Sequence, residues 1–125
     1  MANPNIVAVA SIYGNTSNTS LTSTSATSLV SNAASSGKVY KINSIVVANV
    51  DGSSAADITI NVYSAAALGG TATAIASTIS VPSDATLIVL DKTTSFYLLE
   101  DRSIGATAGT ANDLVVTCSW DEISS

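Results

Sequence analysis

Apolar and polar residues alternate in short segments along the chain, with turn residues between the segments. The clearest segment runs from Ala56 to Tyr63, where every second residue from Ala56 to Val62 is apolar and the residues between them are mostly polar. A similar alternation runs from Leu114 to Trp120. Because successive side chains of a β-strand point to opposite faces, both segments are predicted to be antiparallel strands with one face in a core. No apolar stripe with the period of a helix continues for three turns.

Further strands are predicted at similarly short spacing. Turn residues such as Ser36-Gly37, Gly69-Gly70 and Pro82-Ser83 separate them. About 8–9 short strands in this arrangement predict an all-β fold, a single-domain antiparallel β-sandwich of the jelly-roll or immunoglobulin-like type over residues 1–125. The further segments are Asn5–Tyr13, Ser20–Val30, Lys38–Val50, Thr73–Val81, Thr86–Leu90, Ser95–Leu99 and Ser103–Ala108.

The segment Lys38–Val50 has apolar residues on both of its sides. Strict alternation places Ile42 and Val46 on one side and Ile45 and Val47 on the other. A strand that is apolar on both faces is expected at the centre of a sheet, or beneath another element. We therefore predict a central strand here.

The loop Asp51–Ala55 follows that segment, and its Asp-Gly pair is a strong hairpin signal. The sequence therefore predicts that Lys38–Val50 and Ala56–Tyr63 pair as a hairpin. The same loop offers oxygen ligands suited to calcium, from Asp51, Ser53 and Asp57. Their spacing does not match an EF-hand loop, which needs more ligands and a closing glutamate, so the turn interpretation is favoured over a metal site.

Residues 15–36 are dominated by serine and threonine. A disordered tract is one interpretation of this composition. Leu21, Leu29 and Val30 recur within it, however, and threonine favours strands. We predict an ordered polar strand, with a mobile loop near Asn15 to Asn18.

The ionisable residues exclude several classes of function. Four Lys and Arg stand against nine Asp and Glu, and there is no histidine. Four cations cannot form a basic patch, so nucleic-acid binding through phosphates is not expected. Cys118 is the only cysteine, which excludes a disulfide framework within the chain. It falls on the apolar side of its strand, where we expect a buried, unreactive thiol.

The remaining acidic residues do not predict a catalytic pair. Glu100-Asp101 and Asp121-Glu122 are adjacent residues, which point to opposite faces of a strand, and we expect solvated strand ends and turns. The sequence therefore predicts no enzyme, no catalytic residue and no cofactor. No apolar run approaches the roughly 18 residues that span a bilayer, and the first residues lack the features of a signal peptide. We expect a soluble protein made in a cytoplasm.

The surface composition predicts association. The chain has 21 Ser, 15 Thr and 19 Ala, against only three Lys and two Pro. Monomeric sandwiches usually guard their edge strands with lysine, proline or inward-pointing charges, because unpaired backbone groups invite pairing with another chain. Small neutral side chains also lose little rotamer entropy on close packing. We therefore expect a subunit that buries strand edges and Ser/Thr/Ala-rich faces in a homo-oligomer or larger shell.

Four segments together resemble a known group of proteins. They are NIVAVASIYGNT, SGKVYKINSIVVANVDGSSAADITINVYS, TLIVLDKTTSFYLLEDRSI and CSWDEIS, and they cover nearly the whole chain. They are similar to small virion structural proteins of tailed phages of marine bacteria, including cyanophages. Members often carry E-G-D-S where this chain has Glu100-Asp101-Arg102-Ser103, so the glycine of that turn is missing here.

The resemblance implies a non-enzymatic component of a virion, made in the host cytoplasm. The first expectation is a capsid decoration or cement protein whose partners are itself and other virion proteins, such as the major capsid protein, with no nucleic acid and no membrane. The alternative is a neck, tail or fibre component that binds the host surface, with a calcium-dependent glycan as one ligand class. The resemblance supplies no functional residue.

Overall fold

The structure, a computed structural model, describes residues 4–124. Residues 1–3 and 125 of the predicted domain lie outside the described residues. The described part contains nine β-strands and no helix. The strands are β1 (Ser11–Ser20), β2 (Thr27–Asn32), β3 (Lys38–Asn49), β4 (Ala56–Ala65), β5 (Gly69–Val81), β6 (Thr86–Leu90), β7 (Phe96–Leu98), β8 (Arg102–Ala108) and β9 (Leu114–Ser124).

The strands form two antiparallel sheets. One has the order β1-β9-β3-β6, with β7 also paired to β3, and the other has the order β2-β8-β4-β5. We call them sheet 1 and sheet 2. If β6 and β7 count as one strand interrupted by a turn, each sheet has four strands and the chain changes sheet at every connection except the β4–β5 hairpin, which is the arrangement of a jelly roll. The predicted β-sandwich is confirmed, and the topology selects the jelly-roll alternative.

The core lies between the two sheets and is almost entirely aliphatic. It forms because β3 and β9 of sheet 1, and β4 and β8 of sheet 2, present apolar residues to the inner face of their sheet. Fully burying one such side chain stabilises the fold by about 1.5–3 kcal/mol. Tyr40, Phe96 and Trp120 pack against its margin. The largest fully buried apolar side chains are Leu21, Ile42, Ile45, Ile58, Ile60, Leu98, Ile104 and Leu114.

Two buried asparagines tie the sheets together at opposite ends of β3. Asn32 of β2 donates from Nδ2 to the carbonyl oxygens of Lys38 and Leu98, at 2.9 and 3.2 Å. Asn49 of β3 donates from Nδ2 to the carbonyl oxygens of Ser54 and Val81, at 3.0 and 2.9 Å. Each side chain therefore satisfies backbone groups that the ladders leave unpaired where the chain changes sheet.

The central position predicted for the Lys38–Val50 segment is confirmed, but the assignment of its faces is wrong. β3 lies between β9 and the β6–β7 edge, with a register shift between Ile42 and Ser44. The extra residue of this bulge brings Ile42, Ile45 and Val47 onto the same buried face, because a bulge reverses the alternation beyond it.

The predicted hairpin between Lys38–Val50 and Ala56–Tyr63 is also wrong. β3 belongs to sheet 1 and β4 to sheet 2, and no ladder joins them. The connecting loop crosses from one sheet to the other because Asn49 and Asp51 bind its backbone: Asp51 N donates to Asn49 Oδ1, and Ser54 N donates to Asp51 Oδ2. The Asp-Gly pair therefore marks a turn here, but this turn does not connect two paired strands of one sheet.

The structure also corrects the predictions for the first third of the chain. The strand predicted at Asn5–Tyr13 is instead β1, Ser11–Ser20, and the predicted mobile loop at Asn15–Asn18 lies in the middle of it. The predicted strand Ser20–Val30 starts later, at Thr27. Pairing with β9 stabilises a polar strand that shows little apolar alternation of its own, so tertiary context overrides the local pattern.

The β4–β5 hairpin turns through two residues that rarely occupy such positions. Ala67 and Leu68 have φ of 56° and 61°, and Gly69 N donates to Ala66 O at 3.1 Å. Left-handed φ values strain residues that carry a Cβ atom. Three side chains from neighbouring elements offset this strain by accepting the backbone N–H groups of residues 66, 67 and 68, and they are Asp101, Ser31 and Ser103.

Candidate functional site

The proposed calcium ligands lie in and beside the crossing loop. Asp51 Oδ2 accepts hydrogen bonds from Ser53 N and Oγ at 3.3 and 3.2 Å, and from Ser54 N at 2.6 Å. One oxygen of the Asp51 carboxylate is thus bound within its own turn. Asp57 is exposed on β4, and its carbonyl oxygen accepts from Gly109 N at 2.8 Å.

The loop does not assemble a larger acidic cluster. Within residues 4–124, no three His, Cys, Asp or Glu side chains are grouped so that they could hold a metal ion. The turn brings Asp51 and Ser53 together, whereas the recorded hydrogen bond of Asp57 is between its carbonyl oxygen and Gly109 N, outside the turn. The geometry therefore shows that the Asp51 carboxylate stabilises the backbone of its own turn. It gives no support to the calcium hypothesis.

Cys118 lies in the core, as its place in the alternation predicted. Its side chain is 0% exposed on β9, opposite Ile45 of β3. Burial raises the pKa of the Cys118 thiol to about 12, because the apolar surroundings disfavour the thiolate. The thiolate is the reactive form of cysteine, so the folded chain keeps this group inert near neutral pH.

The expectation of solvated carboxylates is wrong for the Glu100-Asp101 pair. Glu100 is buried, and Asp101 Oδ1 accepts from Ala66 N at 3.0 Å, which holds the β4–β5 turn. Asp101 has a φ of 55°, in the left-handed region that favours glycine. The chain keeps this left-handed residue without a glycine, because the Asp101 side chain is anchored by its hydrogen bond to Ala66 N.

In the second acidic pair, Glu122 is bound at the edge of the core, whereas Asp121 lines a cleft on sheet 1. Lys38 Nζ donates to Glu122 Oε1 at 3.0 Å, and this hydrogen bond raises the pKa of Lys38. Burial, followed by the charge of Glu122, raises the pKa of Tyr40, whose ring stacks on Trp120 with centroids 6.3 Å apart. These contacts explain Lys38, Tyr40 and Glu122 as parts of the fold.

A polar cleft opens on sheet 1, between β3, β9 and the turn that joins β6 to β7. Its volume is about 710 Å³, and its walls carry two positive and two negative side chains with serine and asparagine between them. The charged residues are Lys41, Asp91, Lys92 and Asp121. Lys41 and Asp121 are direct partners across the β3–β9 ladder. The cleft can offer hydrogen bonds of both polarities to a small polar ligand.

Two apolar grooves lie beside β5, one between β5 and β7 and the other along β4 and β5. Their volumes are about 260 and 320 Å³, and they share Val62, Ile75 and Arg102. The Arg102 guanidinium donates from Nη1 to the carbonyl oxygens of Ser64 and Asp101. Because this nitrogen already donates to backbone carbonyl groups of its own chain, the grooves offer mainly apolar contacts to a ligand or partner.

The long strand edges are the least protected part of the surface. β1 and β5 are the longer of the two outer strands in sheet 1 and sheet 2, and neither contains a charged residue or a proline. Serine, threonine, alanine and asparagine make up most of their residues, and all of these except Ala76 are exposed or half-exposed. The predicted neutral strand edges are therefore present. Unpaired backbone groups on such edges can pair with another chain.

Comparisons with known proteins add information about the fold. No protein-family model and no curated protein matches this chain. A solved structure of Bacillus endospore appendages, which form disulfide-linked pili, is 17% identical over 90% of this chain and 88% of that chain, with a TM-score of 0.51. A chain of infectious bursal disease virus, Gx strain, is 13% identical over 93% of this chain and 31% of that one, with a TM-score of 0.45.

The pilus protein supports the single-domain β-sandwich, and at this identity the likeness concerns the fold alone. Within the described residues, no helix is long and apolar enough to cross a membrane.

Proposed function

We propose that this chain is a non-enzymatic structural subunit of a virion, which assembles with copies of itself and with other virion proteins. The observation that carries the proposal is the pair of long outer strands, β1 and β5, with no charge and no proline to block pairing. A protein that works alone normally guards such edges. The same strands suit a subunit whose edges are covered in an assembly.

The engaged ionisable groups are consistent with a structural role. Asp101 holds the β4–β5 turn, Glu122 binds Lys38 at the margin of the core, and the Cys118 thiol is buried. The Bacillus endospore appendages, whose solved structure has a similar fold, form disulfide-linked pili. A disulfide between copies through Cys118 would require the core to open, so assembly of this chain is non-covalent.

The sequence resemblance favours the virion of a tailed phage of marine bacteria as the setting. Within that virion, a capsid decoration or cement protein is the preferred position, because many identical weak contacts suit a repeated shell. A subunit of the neck or tail is the alternative position. Interfaces of roughly 800 Å² per partner would hold either assembly together.

Association of the purified chain with particles tests this proposal. We expect light scattering to show oligomers, and we expect the chain to co-sediment with phage capsids that lack their decoration protein. Tail preparations provide the second arm, which separates the two positions. A chain that stays monomeric and binds neither capsids nor tails would contradict the structural role.

A second candidate, a host-surface saccharide-binding module, rests on the polar cleft. Saccharide hydroxyl groups need donors and acceptors close together, and Lys41 and Asp121 provide both. Screening on a glycan array, followed by calorimetry with and without calcium, tests this candidate. Binding that is lost in Asp121→Ala, but kept in Asp57→Ala, would locate the ligand in the cleft. Absence of binding in both assays would exclude it.

A further inference from the structure

We infer that β1 is the edge through which two copies of this chain pair, antiparallel about a two-fold axis at Thr16, so that two copies of sheet 1 join into one. The inference rests on the proposed self-assembly and deepens it, because it names the strand, the partner and the register.

The regularity of β1 is the first observation. It pairs with β9 through ten consecutive partners, from Ser11↔Ser124 to Ser20↔Val115, without a register shift. Its other edge has no partner strand among the described residues. At about 3.4 Å per residue, the strand offers a seam about 34 Å long. No charge, proline or bulge interrupts this seam, and these are the usual devices that prevent edge pairing.

The other edges are less suited to pairing. β5 has three irregularities against β4 and a left-handed residue, Thr78, with φ of 49°. β2 has six residues and a register shift against β8. β6 and β7 are short and are separated by the turn that carries Asp91 and Lys92. Bulges, short strands and charges each protect an edge, so β1 is the exposed long edge that has none of them.

A second copy fits β1 better than an unrelated protein does. An antiparallel edge is complementary to itself under a two-fold axis, so one surface builds both sides of the interface. The chain carries a net charge of −5, and its copies repel unless their contact is free of carboxylates. β1 meets that condition. An edge without charge also offers no electrostatic steering to a foreign partner.

Exposed apolar side chains lie in the first residues of this strand and in the segment that precedes it. Ile6, Val7, Ile12 and Tyr13 are 51%, 92%, 56% and 63% exposed. They account for four of the ten large hydrophobic residues that the described surface exposes. Burying part of this area favours association by about 25 cal/mol per Å².

The register follows from the side chains that face the core side of β1. With the axis at Thr16, Tyr13 lies opposite Thr19 of the second copy, and aromatic side chains pair well with β-branched ones across strands. Asn15 lies opposite Ser17 of the second copy, on the same face. Ser17 Oγ is the one buried side-chain polar atom of the described residues that has no hydrogen-bond partner. This register thus brings an amide side chain to the strand position opposite that hydroxyl.

Disulfide trapping tests the register. The two copies of residue 16 would face each other with Cα atoms about 4.5 or 5.5 Å apart, within the range of about 4.4–6.8 Å that a disulfide needs. We expect Thr16→Cys to form a covalent dimer under mild oxidation. The matched control is Asn18→Cys on the same face, whose two copies would lie about 14 Å apart and would not cross-link. Cys118 can stay in place, because it is buried.

Charge insertion tests the edge without a cross-link. Thr16→Lys places two like charges at the axis, and we expect it to weaken the dimer at least about tenfold in sedimentation analysis. Thr73→Lys puts the same charge on an exposed threonine of β5 and should change the dimer constant by less than about twofold. Circular dichroism should show both variants folded, since both sites are exposed.

The outcomes separate this inference from the proposed function. Cross-linking through Asn18→Cys instead of Thr16→Cys, or loss of the dimer in Thr73→Lys alone, would overturn the pairing. If wild-type and Thr16→Lys chains both assemble and bind particles equally, the edge assignment fails while the structural role stands. A Thr16→Cys dimer that binds no particle would support the edge and contradict the virion role.

Discussion

Asn49 shows how one buried polar side chain defines a crossing between the two sheets. It donates to Ser54 O and Val81 O and accepts from Asp51 N, so three backbone groups depend on it. A buried backbone group without a partner costs about 1–3 kcal/mol. Asn32 has the equivalent role at the other end of β3. Neither role was predicted from the sequence, because an asparagine at a strand end is indistinguishable from one in an ordinary turn.

Replacing Asn49 with leucine tests this role. We expect Asn49→Leu to lower the free energy of unfolding by about 2–4 kcal/mol, since it leaves the partner groups unsatisfied. Asn43→Leu, on the same strand but half-exposed, should change it by less than about 1 kcal/mol. Urea denaturation followed by circular dichroism measures both. Equal losses in the two variants would show that the hydrogen bonds of Asn49 contribute little.

The Cys118 thiol makes a specific prediction about alkaline pH. Burial raises its pKa from 9.0 to about 12, so the unfolded chain ionises first as pH rises. The contribution of the buried thiol to the free energy of unfolding is complete below pH 9. It is lost as pH rises towards 12, with a slope of about 1.4 kcal/mol per pH unit for one proton. We expect the stability of the Cys118→Ala variant to fall less steeply across this range. Identical slopes in denaturation titrations would mean that the thiol is not buried.

Alternation located most of the later strands, because they have one buried and one exposed face. Ala56–Tyr63 lies within β4, Thr86–Leu90 coincides with β6, and Leu114–Trp120 lies within β9. The prediction was wrong wherever another element controls the outcome. The bulge in β3 leaves no signal in the residues themselves, and β1 is a strand because β9 pairs with it.

The β4–β5 turn is the clearest case of control from outside the segment. Glycines at positions 69 and 70 suggested the turn, but the structure turns at Ala67 and Leu68 and begins β5 at Gly69. Side chains that are distant in sequence hold the two residues there. Only the fold brings these side chains together, so no local pattern could show the turn.

Ser103 provides the test of this turn. Its hydroxyl donates to Ala65 O at 2.8 Å and accepts from Leu68 N at 2.9 Å. We expect Ser103→Ala to lower the free energy of unfolding by about 1–3 kcal/mol, because both backbone groups lose a partner. Ser80→Ala, at an exposed position of β5, should be within about 0.5 kcal/mol of the wild type. Thermal denaturation of the two variants decides between a supported turn and an independent one.

The whole molecule combines a well-packed core with a surface that has few charges. The sequence composition predicted this contrast, and the fold places the neutral residues along the two outer strands. The sequence predicted that a neutral strand edge would form the candidate site, but it did not predict which strand. That choice depends on which edge remains regular, and the register of every ladder decides it.

A low-charge seam predicts weak dependence of assembly on salt. Between about 0.05 M and about 0.5 M sodium chloride, we expect the dimer constant of the chain to change by less than about threefold, because screening acts on charges and β1 has none. Sedimentation equilibrium measures this. A steep loss of association with salt would indicate an interface built on Lys41, Lys92 or Arg102 instead.

Electron cryo-microscopy of a phage particle that contains this chain tests the central claim most directly. We predict jelly-roll density on the particle in repeated copies, with the outer edge of β1 paired to another strand and no unpaired β1 facing solvent. Single copies on the particle with β1 uncovered, and with a small molecule in the polar cleft, would contradict the account.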